Sequence, residues 1–568
     1  MEEETKTPKQ VPALRELYTI LRPQKFTLGI VIGLSVVLSF LNAAVPYSLK
    51  LVLDTMESSQ NFARLCYIAG GVMAIYLAKN GFYYLSKSRI VALAERVAFD
   101  LRSQMMAHLH RLSVAYYKRQ KPGKISSRLI HDVESIKEFI SSELTKLLVN
   151  GGMALVVTVA IVTLNPLLAL VALALLPLNV LIYYLFRGYI TESAREAKEQ
   201  VSSISGDLVE QFSGVETMKS AASEDKERAK FATTMRKGMT AQIRERRFYL
   251  LQKISSDLLG GLSLVLLFTV GGYMVMNDRM SYGDFAAFYA YIGMLYPLAI
   301  RLVADAGKFS STRASLDRIH DILHTTTDVR ELPGARPHPI QNGRIEFQNV
   351  SFSFDEQPLL QKVDFTVKAG EHVLITGQSG AGKSTLLNLI PRFYDCNEGQ
   401  ILIDGIDHRD LTLSSLRGQI GFVFQECFLF DMSVIENIRY ARPEAPRAAV
   451  LEAARQAHAH EFIQNLPQGY ETPIGEEGVQ LSFGERQRIG IARAILKDPR
   501  IFILDEALGS LDPEARRAVS DELAELARNR TLLLVTHNPD LFPGINKKLV
   551  IEDRQVQTAQ AITPTHSG

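Results

Sequence analysis

The stretch GQSGAGKST occupies residues 377–385 and directly follows the apolar run HVLIT. It fits the pattern G-x-x-x-x-G-K-[ST], in which glycines let backbone N–H groups close around phosphate oxygens. Lys383 is placed to reach the outer phosphates, and the Ser384 hydroxyl is a candidate Mg²⁺ ligand. Because a predicted strand precedes the stretch and a predicted helix follows it, we expect a phosphate-binding α/β domain here.

A second motif, IFILDE at residues 501–506, has four apolar residues that end in two carboxylates. This pattern predicts a buried strand that delivers acids to the edge of a sheet. Asp505 would hold Mg²⁺ through water, and Glu506 would orient or deprotonate an attacking water. Taken alone, the motif also fits an ordinary strand end with surface acids, but the phosphate loop earlier in the chain favours a catalytic pair.

The region around these motifs has the sequence pattern of one α/β domain. The Pro- and Gly-rich run ELPGARPHPIQNG marks a linker, which we place at 326–342. After it, short β-branched runs alternate with helical segments, which is typical of a mostly parallel sheet. We therefore assign residues 343–568 to this domain.

The first half of the chain is different, because it contains long apolar runs. A helix needs roughly 20 apolar residues to cross a ~30 Å hydrocarbon layer. Any single run also fits a buried core helix, but six of them indicate a helical transmembrane domain over residues 1–325. The six predicted spans are residues 26–53, 63–86, 143–164, 166–186, 254–277 and 284–304.

The distribution of Lys and Arg predicts the orientation of these spans. The linkers 87–141 and 187–253 are rich in both, whereas the short connections at 54–62, 165 and 278–283 hold only Arg279. The positive-inside rule then places both long linkers and the N-terminus in the cytoplasm. Helical periodicity, with reversals at Pro122-Gly123 and near Gly214, predicts two long helical hairpins below the membrane. They would serve as a stalk, or as mechanical arms that touch another domain.

Composition excludes several other classes. The 63 basic and 61 acidic residues give a net charge of +2, which is no signature of a nucleic-acid partner. Cys66, Cys396 and Cys427 lie too far apart in sequence for a disulfide framework or a structural zinc site. The polar start MEEETKTPKQ is not a cleaved signal peptide. The mean hydropathy of +0.04 averages two unlike halves.

A third motif, LSFGERQR at 481–488, is similar to the LSGGQ signature of ATP-binding cassette (ABC) proteins. Other features follow the order of that family: Phe354, the phosphate loop, Gln425, TPIGEEG at 472–478, the signature, the acidic strand, SLD at 510–512 and His537. GKISSRLIHDVESIKEFI at 123–140 and GVETMKSAASED at 214–225 resemble the cytoplasmic hairpins of bacterial ABC exporters. The chain thus resembles a bacterial half-transporter of the type IV fold, of the multidrug or lipid-flippase type.

This resemblance implies ATP and Mg²⁺ as cofactors and a role for each matching residue. Glu506 and His537 are implied as catalytic, and Ser384, Gln425 and Asp505 as the Mg²⁺ site. Phe354 would stack on adenine, while the signature would bind the γ-phosphate of ATP held by an opposite subunit. The implied nucleotide-binding set is Phe354, Gly377, Gln378, Ser379, Gly380, Ala381, Gly382, Lys383, Ser384, Thr385, Gln425, Ser482, Phe483, Gly484, Glu485 and Asp512.

The signature departs from the family pattern at two positions. Phe483 replaces a Gly, and Glu485 replaces the Gln. Ser482 and Gly484, the two small residues expected to approach phosphate, are kept, so we expect a working site. A slow or one-sided site is the alternative.

One chain has one phosphate loop, one signature and six spans, so the resemblance implies a dimer, for which we favour two identical copies. It further implies ATP-driven export or flipping of an amphipathic small molecule, lipid or peptide by alternating access. The dimer would lie in the inner (plasma) membrane among its lipids. The alternatives are an ATP-gated channel or regulator, and one half of a heterodimeric exporter with one weak ATP site.

Charges within or beside the apolar spans are costly and by default suggest a lined cavity. Lys79 and Arg301 are the better cavity candidates, and their charge suggests an anionic or amphipathic cargo. Snorkelling near helix ends is the alternative for Lys50, Lys146 and Lys308. The Gly-Gly doublets at 70–71, 151–152, 260–261 and 271–272 are typical of close helix packing.

Overall fold

The computed structural model describes residues 13–58, 62–120, 122–354, 357–475, 479–509, 511–536, 542 and 544–559. His537, Ser510 and residues 476–478 of TPIGEEG lie outside these ranges. So do the side chains of residues 300 and 303–311, which include Lys308. Contacts divide the chain into two units. The helical unit contains residues up to 109 and 123–325, and the sheet unit contains residues 110–122 and 326 onward.

The helical unit consists of long helices joined by short turns. Elements are numbered in chain order. Its helices are α1 (Ala13–Leu21), α2 (Lys25–Ser58), α3 (Phe62–Leu109), α5 (Pro122–Ser127), α6 (Val133–Glu138), α7 (Thr145–Leu164), α8 (Pro166–Ala174), α9 (Leu176–Ser213), α10 (Val215–Ser220), α11 (Glu224–Met276) and α12 (Tyr282–His324); α4 (Val114–Arg119) belongs to the sheet unit.

Within the described residues, five helical segments are long and apolar enough to cross a membrane. They are Leu17–Glu57, Phe62–Leu109, Pro122–Leu164, Pro166–Ser213 and Glu224–Met276. The sixth predicted span, 284–304, lies in α12. At 1.5 Å per residue the 48 residues of α3 extend about 72 Å, more than twice the ~30 Å of the bilayer core. The excess forms the first arm of a hairpin, and α9 and α11 form the second.

Local sequence explains where these helices turn and bend. Asn165 caps α8 by accepting a hydrogen bond from the Leu168 amide at 3.0 Å, so the predicted turn there is a capped break of one residue. The predicted fourth span is interrupted at Leu175, one residue before α9 begins, and Pro177 in the first turn of α9 lacks the N–H that a continuous helix needs. Between α5 and α7 the helix widens into π-helical stretches at Arg128–Asp132 and Phe139–Leu144.

The core of the helical unit brings α2, α7, α8, α11 and α12 together. The Tyr291 hydroxyl donates to the Ala43 carbonyl at 2.7 Å, and the Tyr296 hydroxyl donates to the Ala172 carbonyl at 3.0 Å. These bonds join helices that are far apart in sequence and satisfy polar groups in an apolar setting.

Only some of the Gly-Gly doublets lie at close helix contacts. A Cβ on Gly152 would lie 2.6 Å from the Ser39 Oγ, and one on Gly271 would lie 2.7 Å from the Phe285 ring. The adjacent Gly151 and Gly272 have open space around them, as do both glycines of the doublets at 70–71 and 260–261. The packing prediction therefore holds for one residue in each of two doublets.

Several charged side chains of the helical unit are paired. Lys50 forms an ion pair with Asp284, and this pair ties α2 to the first turn of α12. The Lys146 Nζ lies 3.0 Å from Glu143. Buried Asp132 accepts a hydrogen bond from the Arg318 Nε at 2.8 Å and another from the Ser315 hydroxyl at 3.0 Å. Lys50 and Lys146, the two described lysines for which snorkelling was the alternative, therefore each have a carboxylate partner.

The sheet unit has two main sheets. The strands are β1 (Ile345–Phe354), β2 (Gln357–Val367), β3 (His372–Gly377), β4 (Glu398–Ile403), β5 (Ile406–Asp407), β6 (Ile420–Val423), β7 (Met432–Ser433), β8 (Pro473–Ile474), β9 (Ile501–Asp505), β10 (Thr531–Val535), β11 (Lys547–Glu552) and β12 (Gln555–Ala559). The helices are α13 (Lys383–Leu389), α14 (Leu413–Gly418), α15 (Val434–Arg439), α16 (Arg447–Gln456), α17 (His460–Gln464), α18 (Phe483–Leu496) and α19 (Pro513–Leu526).

The central sheet has the strand order β12-β11-β3-β10-β9-β6, and only the β11–β12 pairing is antiparallel. This confirms the predicted mostly parallel sheet. A separate antiparallel sheet, β2-β1-β4-β5, was not foreseen from the sequence.

Side-chain alternation gives the central sheet two distinct apolar faces. Ile501 and Ile503 of β9 belong to the core cluster that includes α13, while Phe502 and Leu504 belong to the cluster that includes α18. The helix after the phosphate loop and the helix of the signature therefore pack on opposite faces of one sheet.

Two segments from outside the predicted domain are built into the sheet unit. The linker is held by the Arg336 amide, which donates to the Asp410 carbonyl at 2.9 Å. The tip of the first hairpin, residues 110–122, also belongs here, and Ala115 of α4 is buried in the core cluster that contains α13.

The difference in free space around Gly151 and Gly152 leads to a testable prediction. Gly152→Val should destabilise the chain by about 1–3 kcal/mol, because its side chain must displace Ser39 at the contact between α2 and α7. Gly151→Val is the matched control, since it changes helix propensity equally but meets open space. Thermal unfolding of the detergent-solubilised chain measures both, and an equal loss in the two variants would contradict the assigned packing.

Candidate functional site

The phosphate loop follows β3, which is buried, and turns sharply at three glycines. Gly380 and Gly382 have φ values of +79° and +101°, which side chains on L-residues rarely tolerate. A Cβ on Gly377 would lie 2.7 Å from the Ile551 carbonyl oxygen. The sequence thus needs glycine at these positions to form the loop at all. Gln378, Ser379 and Gly380 are exposed, whereas Ala381 and Thr385 are half-buried.

Lys383 bends back over this loop. Its Nζ donates to the carbonyl oxygens of Gly377 and Gln378 at 2.9 and 3.0 Å, and the side chain is buried. A buried ammonium group needs acceptors. The loop carbonyls provide them.

The acidic strand delivers its carboxylates next to the loop, as predicted. Asp505 is 6% exposed at the end of fully buried β9, and the Ser384 hydroxyl hydrogen-bonds to it. Burial raises the pKa of the Asp505 carboxyl, while the Ser384 hydrogen bond and the Lys383 charge act against that shift. A buried carboxylate and a hydroxyl are the oxygen ligands that Mg²⁺ prefers.

Glu506 leaves the strand with a φ of +51°, which turns its side chain away from the buried strand. Its Oε2 accepts a hydrogen bond from the Gln425 Nε2 at 2.9 Å. Gln425 follows β6, the neighbour of β9 in the sheet. The structure therefore brings together the phosphate loop, Asp505, Glu506 and Gln425 at the carboxyl edge of the sheet.

The signature begins a helix on the other face of the sheet. Ser482 is the N-cap of α18 and forms a capping box with Glu485. The hydroxyl and the amide of Ser482 both donate to the Glu485 Oε2 at 2.8 Å, and the Glu485 amide donates back to the Ser482 Oγ at 3.3 Å. Gly484 is half-buried in the first turn. Exposed Phe483 has the Arg486 guanidinium 5.6 Å from its ring centre.

Gln487 joins the signature helix to the segment that contains Gln425, and sequence reasoning missed it. It is 1% exposed, and its Nε2 donates to the Phe424 carbonyl at 3.0 Å. Its position in LSFGERQR was the only available signal, and that motif does not reveal which face of the helix is buried.

Phe354 belongs to an aromatic cluster that sequence reasoning also missed. Its ring lies edge-on to Tyr394 with 5.2 Å between centroids, and the Lys118 ammonium lies 5.7 Å from the Tyr394 ring centre. Lys118 is in α4, at the tip of the first hairpin. Tyr394 thus contacts both the hairpin tip and the Phe354 ring, which is predicted to stack on adenine. Sequence offered no signal for this contact beyond the aromatic residues after α13.

Asp512 is the N-cap of α19, and its Oδ1 accepts from the Ala515 amide at 2.8 Å. That amide lowers the pKa of the Asp512 carboxyl. The predicted catalytic His537 lies outside the described residues. The residues assembled within the described ranges could bind phosphate and hold a cation through oxygen atoms, and they include no group of three or more His, Cys, Asp or Glu that could hold a metal ion.

Comparisons with known proteins agree with this geometry. Residues 28–297 match the family described as the ABC transporter transmembrane region, and residues 360–509 match the ABC transporter family. The chain is 32% identical over 548 residues to a Bacillus subtilis protein provisionally named multidrug export ATP-binding/permease protein YgaD, covering 95% of this chain and 94% of that one. It is 33% identical over 559 residues to the ATP-dependent lipid A-core flippase of Syntrophus aciditrophicus, covering 97% and 93%.

The raised pKa of Asp505 generates a prediction. A carboxyl whose folded pKa lies above its unfolded pKa stabilises the fold only while it is protonated, and that contribution is lost as the pH rises through the folded pKa. Asp505→Asn should therefore raise the melting temperature of the nucleotide-free chain by a few degrees at pH 8. The gain should shrink as the pH falls below the folded pKa.

Asp512→Asn is a control for which we expect the opposite change in melting temperature. The depressed pKa of Asp512 means that its charge stabilises the fold above the unfolded pKa and that this contribution is lost in acid. The variant should melt slightly below wild type at pH 8 and equal to it in acid. If Asp505→Asn also lowers the melting temperature at pH 8, burial does not disfavour the Asp505 charge.

Proposed function

The chain belongs to the ABC exporters, as a half-transporter with one membrane domain and one ATPase domain, and we propose that two identical copies form the working transporter. The chain is a multi-pass membrane protein whose cytoplasmic ATPase domain couples ATP hydrolysis to export. In the proposed cycle, ATP joins the two ATPase domains and the hairpins move with them. The substrate cavity, open to the cytoplasm, then opens outward, and hydrolysis resets it.

One observation supports the proposed dimer most directly. The phosphate loop precedes α13 on one face of the central sheet, whereas Ser482 begins α18, which packs on the other face. A single copy thus holds the two phosphate-binding elements on opposite faces of the same rigid sheet. Two copies facing one another would place the loop of one against the signature of the other, and two equivalent ATP sites would result.

Within each site, the residues of one copy would have different roles. The loop amides and Lys383 would bind the phosphates, with Lys383 exchanging the Gly377 and Gln378 carbonyls for phosphate oxygens. Phe354 would stack on adenine. When bound, Mg²⁺ would neutralise phosphate charge, and Asp505, Ser384 and Gln425 would hold it, since their oxygens lie at one edge of the sheet.

Glu506 would act on the attacking water. Its hydrogen bond from Gln425 fixes the carboxylate beside the loop, and the positive φ aims it outward from the sheet edge. His537 would hold the γ-phosphate. On the partner side, Ser482 and Gly484 would bind the same phosphate, and Asp512 would lie at the interface.

A groove in the sheet unit would receive the partner's second hairpin. The groove has a volume of about 410 Å³ and is lined by the exposed aromatic residues Phe424, Phe428 and Tyr440. The second hairpin carries exposed Phe212 and Val215 beside its tip. Apolar side chains at the tip complement an aromatic groove, and residues 424 and 425 would then transmit motion of the hairpin to the ATP site.

The proposed substrate is an amphipathic molecule, for which lipids, small molecules and peptides are candidates. The names of the two relatives above refer to multidrug export and to a lipid flippase. Lys79, which lies in the part of α3 predicted as the second span, supports a substrate with an anionic group.

Glu506→Gln tests the assigned base. We expect phosphate release by the reconstituted protein to fall by about 10²–10⁴, because the amide does not accept a proton, while ATP binding remains. Uphill, ATP-dependent accumulation of the substrate in vesicles should stop with it. A channel or regulator would instead show downhill flux, which accumulation assays distinguish.

Glu552→Gln is the matched control, since Glu552 ends the parallel strand β11 and is exposed. It should hydrolyse ATP at the wild-type rate. Near-normal hydrolysis by Glu506→Gln would overturn the assigned role.

The capping box at the signature generates a second prediction. The Glu485 carboxylate accepts hydrogen bonds from both the amide and the hydroxyl of Ser482. The γ-phosphate of ATP bound to the partner would need the same two donors, and the negative charge of Glu485 would repel it. Glu485→Gln keeps the capping box and removes the charge. The ATP concentration for half-maximal hydrolysis should fall about fivefold, equivalent to about 1 kcal/mol.

A second capping box supplies the control for this experiment. Ser433 and Glu436 at the start of α15 form the same three hydrogen bonds, at 3.1, 2.8 and 3.3 Å. Glu436→Gln should leave the ATP dependence unchanged. An unchanged or raised requirement in Glu485→Gln would remove Glu485 from the site.

A further inference from the structure

The helix that leads from the tip of the first hairpin into the third predicted span is not a regular α-helix. Residues 122–164 are all described, and within them Arg128–Asp132 and Phe139–Leu144 are π-helical. A π-helical turn closes its hydrogen bonds over five residues instead of four, so each stretch holds one residue more than an α-helix between the same flanks. Turns of this kind are rare and frequently lie at functional sites.

The two stretches flank the short helix α6, in which Val133 and Ile136 are fully buried. If one stretch closed into α-helix, the helix on its two sides would rotate by about 100° and separate by about 1.5 Å, because one residue contributes that much to an α-helix. The stretches therefore allow a continuous helix to change its register without breaking.

Polar contacts with α12 hold the first stretch in its present register. Ile130 is 55% exposed, whereas Asp132 is only 7% exposed. A buried carboxylate is costly unless it is paired and hydrogen-bonded. Asp132 accepts hydrogen bonds from the Ser315 hydroxyl at 3.0 Å and from the Arg318 Nε at 2.8 Å, and both partners belong to α12. The register of this stretch therefore depends on a second helix.

Helix α3 reaches both stretches with a cationic side chain. The Arg102 Nε donates to the Leu129 carbonyl at 3.4 Å, and the Lys87 Nζ donates to the Ser141 carbonyl at 2.8 Å. A side-chain donor that enters the hydrogen-bond ladder of a helix stabilises a local departure from regular α-helix. These contacts with α3 thus support both wide turns.

The contacts at the first stretch can be exchanged easily. The side chains of Arg102 and Arg318 are 39% and 44% exposed, and ion pairs in contact with water contribute little net stability. The chain enters this helix directly from residues 110–122, which belong to the sheet unit. A displacement of the hairpin tip therefore reaches the first stretch before it reaches the third span.

We propose that residues 128–144 form a register joint, in which closure of the first π-helical stretch converts displacement of the hairpin tip into rotation of the third span. The stretch is open in the nucleotide-free protein and closed into α-helix when ATP is bound. This inference rests on the proposed function and deepens it, because it assigns a helical element through which ATP binding acts on the membrane domain.

Hydrogen exchange of the full-length protein, followed by mass spectrometry, tests the closure. In Glu506→Gln, the amides of residues 128–132 should exchange about tenfold more slowly with saturating ATP than without nucleotide, because a closed turn protects its amides. Equal exchange in the two states, with ATP binding confirmed separately, would overturn the joint. Absence of ATP binding would overturn the proposed function, and the joint with it.

Asp132→Asn separates a role in the register from a merely structural one. The variant weakens the contact that holds the open register, so without nucleotide its residues 128–132 should exchange more slowly than in wild type. Faster exchange would show that Asp132 only stabilises the fold, and would overturn its role in the joint. Glu196→Gln is the matched control, since it removes an ion pair with Arg244 at 2.8 Å in the second hairpin and should leave these amides unchanged.

Deletion of Ile130 removes the extra residue and so fixes the register. The stretch should become a regular α-helix between unchanged flanks, and the melting temperature should stay within a few degrees of wild type. Deletion of Phe99, an exposed apolar residue in the regular helix α3, should lower it far more, because it turns Leu101 and Met105 out of the core. The Ile130 deletion should still hydrolyse ATP but accumulate no substrate in vesicles.

Three results of the deletion experiment would overturn the joint. Equal losses of stability in the two deletions would show that the first stretch holds no spare residue. Normal accumulation by the Ile130 deletion would show that export needs no change of register, and would leave the ATP-driven exporter intact. Loss of ATP hydrolysis in that deletion would place the stretch in the ATP chemistry instead of between the ATP site and the membrane.

Discussion

The alternation of side chains along β9 is the constraint on which the ATP chemistry of this chain depends. Ile501 and Ile503 face the core behind the phosphate loop, while Phe502 and Leu504 face the core under the signature helix. Both cores are fully buried, so neither helix can move across the sheet without exposing apolar surface. The two phosphate-binding elements of one copy are therefore held apart by the same burial that stabilises the domain. The proposal of a second subunit therefore rests on this packing as well as on the motifs.

The same strand explains why the chemistry lies where it does. A strand buried on both faces exposes polar groups only at its ends, and β9 ends in Asp505 followed by Glu506. Parallel neighbours end at the same edge, which brings Gln425 after β6 within 2.9 Å of Glu506. These positions could be predicted from sequence because apolar runs and the residues that follow them are local features.

Contacts between distant segments could not be predicted in this way. Nothing in the run containing Lys118 shows that it approaches Tyr394, because the two residues lie far apart in sequence. The roles of the Gly-Gly doublets were similarly ambiguous: Gly152 and Gly151 have the same sequence signal, and only the direction of the neighbouring helix decides which meets Ser39. The capping box of Ser482 and Glu485 was also not predicted, although a serine followed three residues later by a glutamate is a local signal for one.

Buried groups with unmet charge or hydrogen-bonding needs occur in both units, and the charges have opposite signs. In the sheet unit, burial raises the pKa of Asp505, so this carboxylate favours a cation, and Lys383 satisfies its ammonium with loop carbonyls. In the helical unit, Lys79 and Lys87 keep their charges without a carboxylate in the described part of the chain, and the Ser86 hydroxyl is buried without a partner. Lys50, Lys146 and Arg318 in the same unit all have carboxylate partners. Asp505 and Lys383 therefore suit the proposed Mg²⁺ and ATP, which would give the carboxylate a cation and the ammonium group phosphate oxygens.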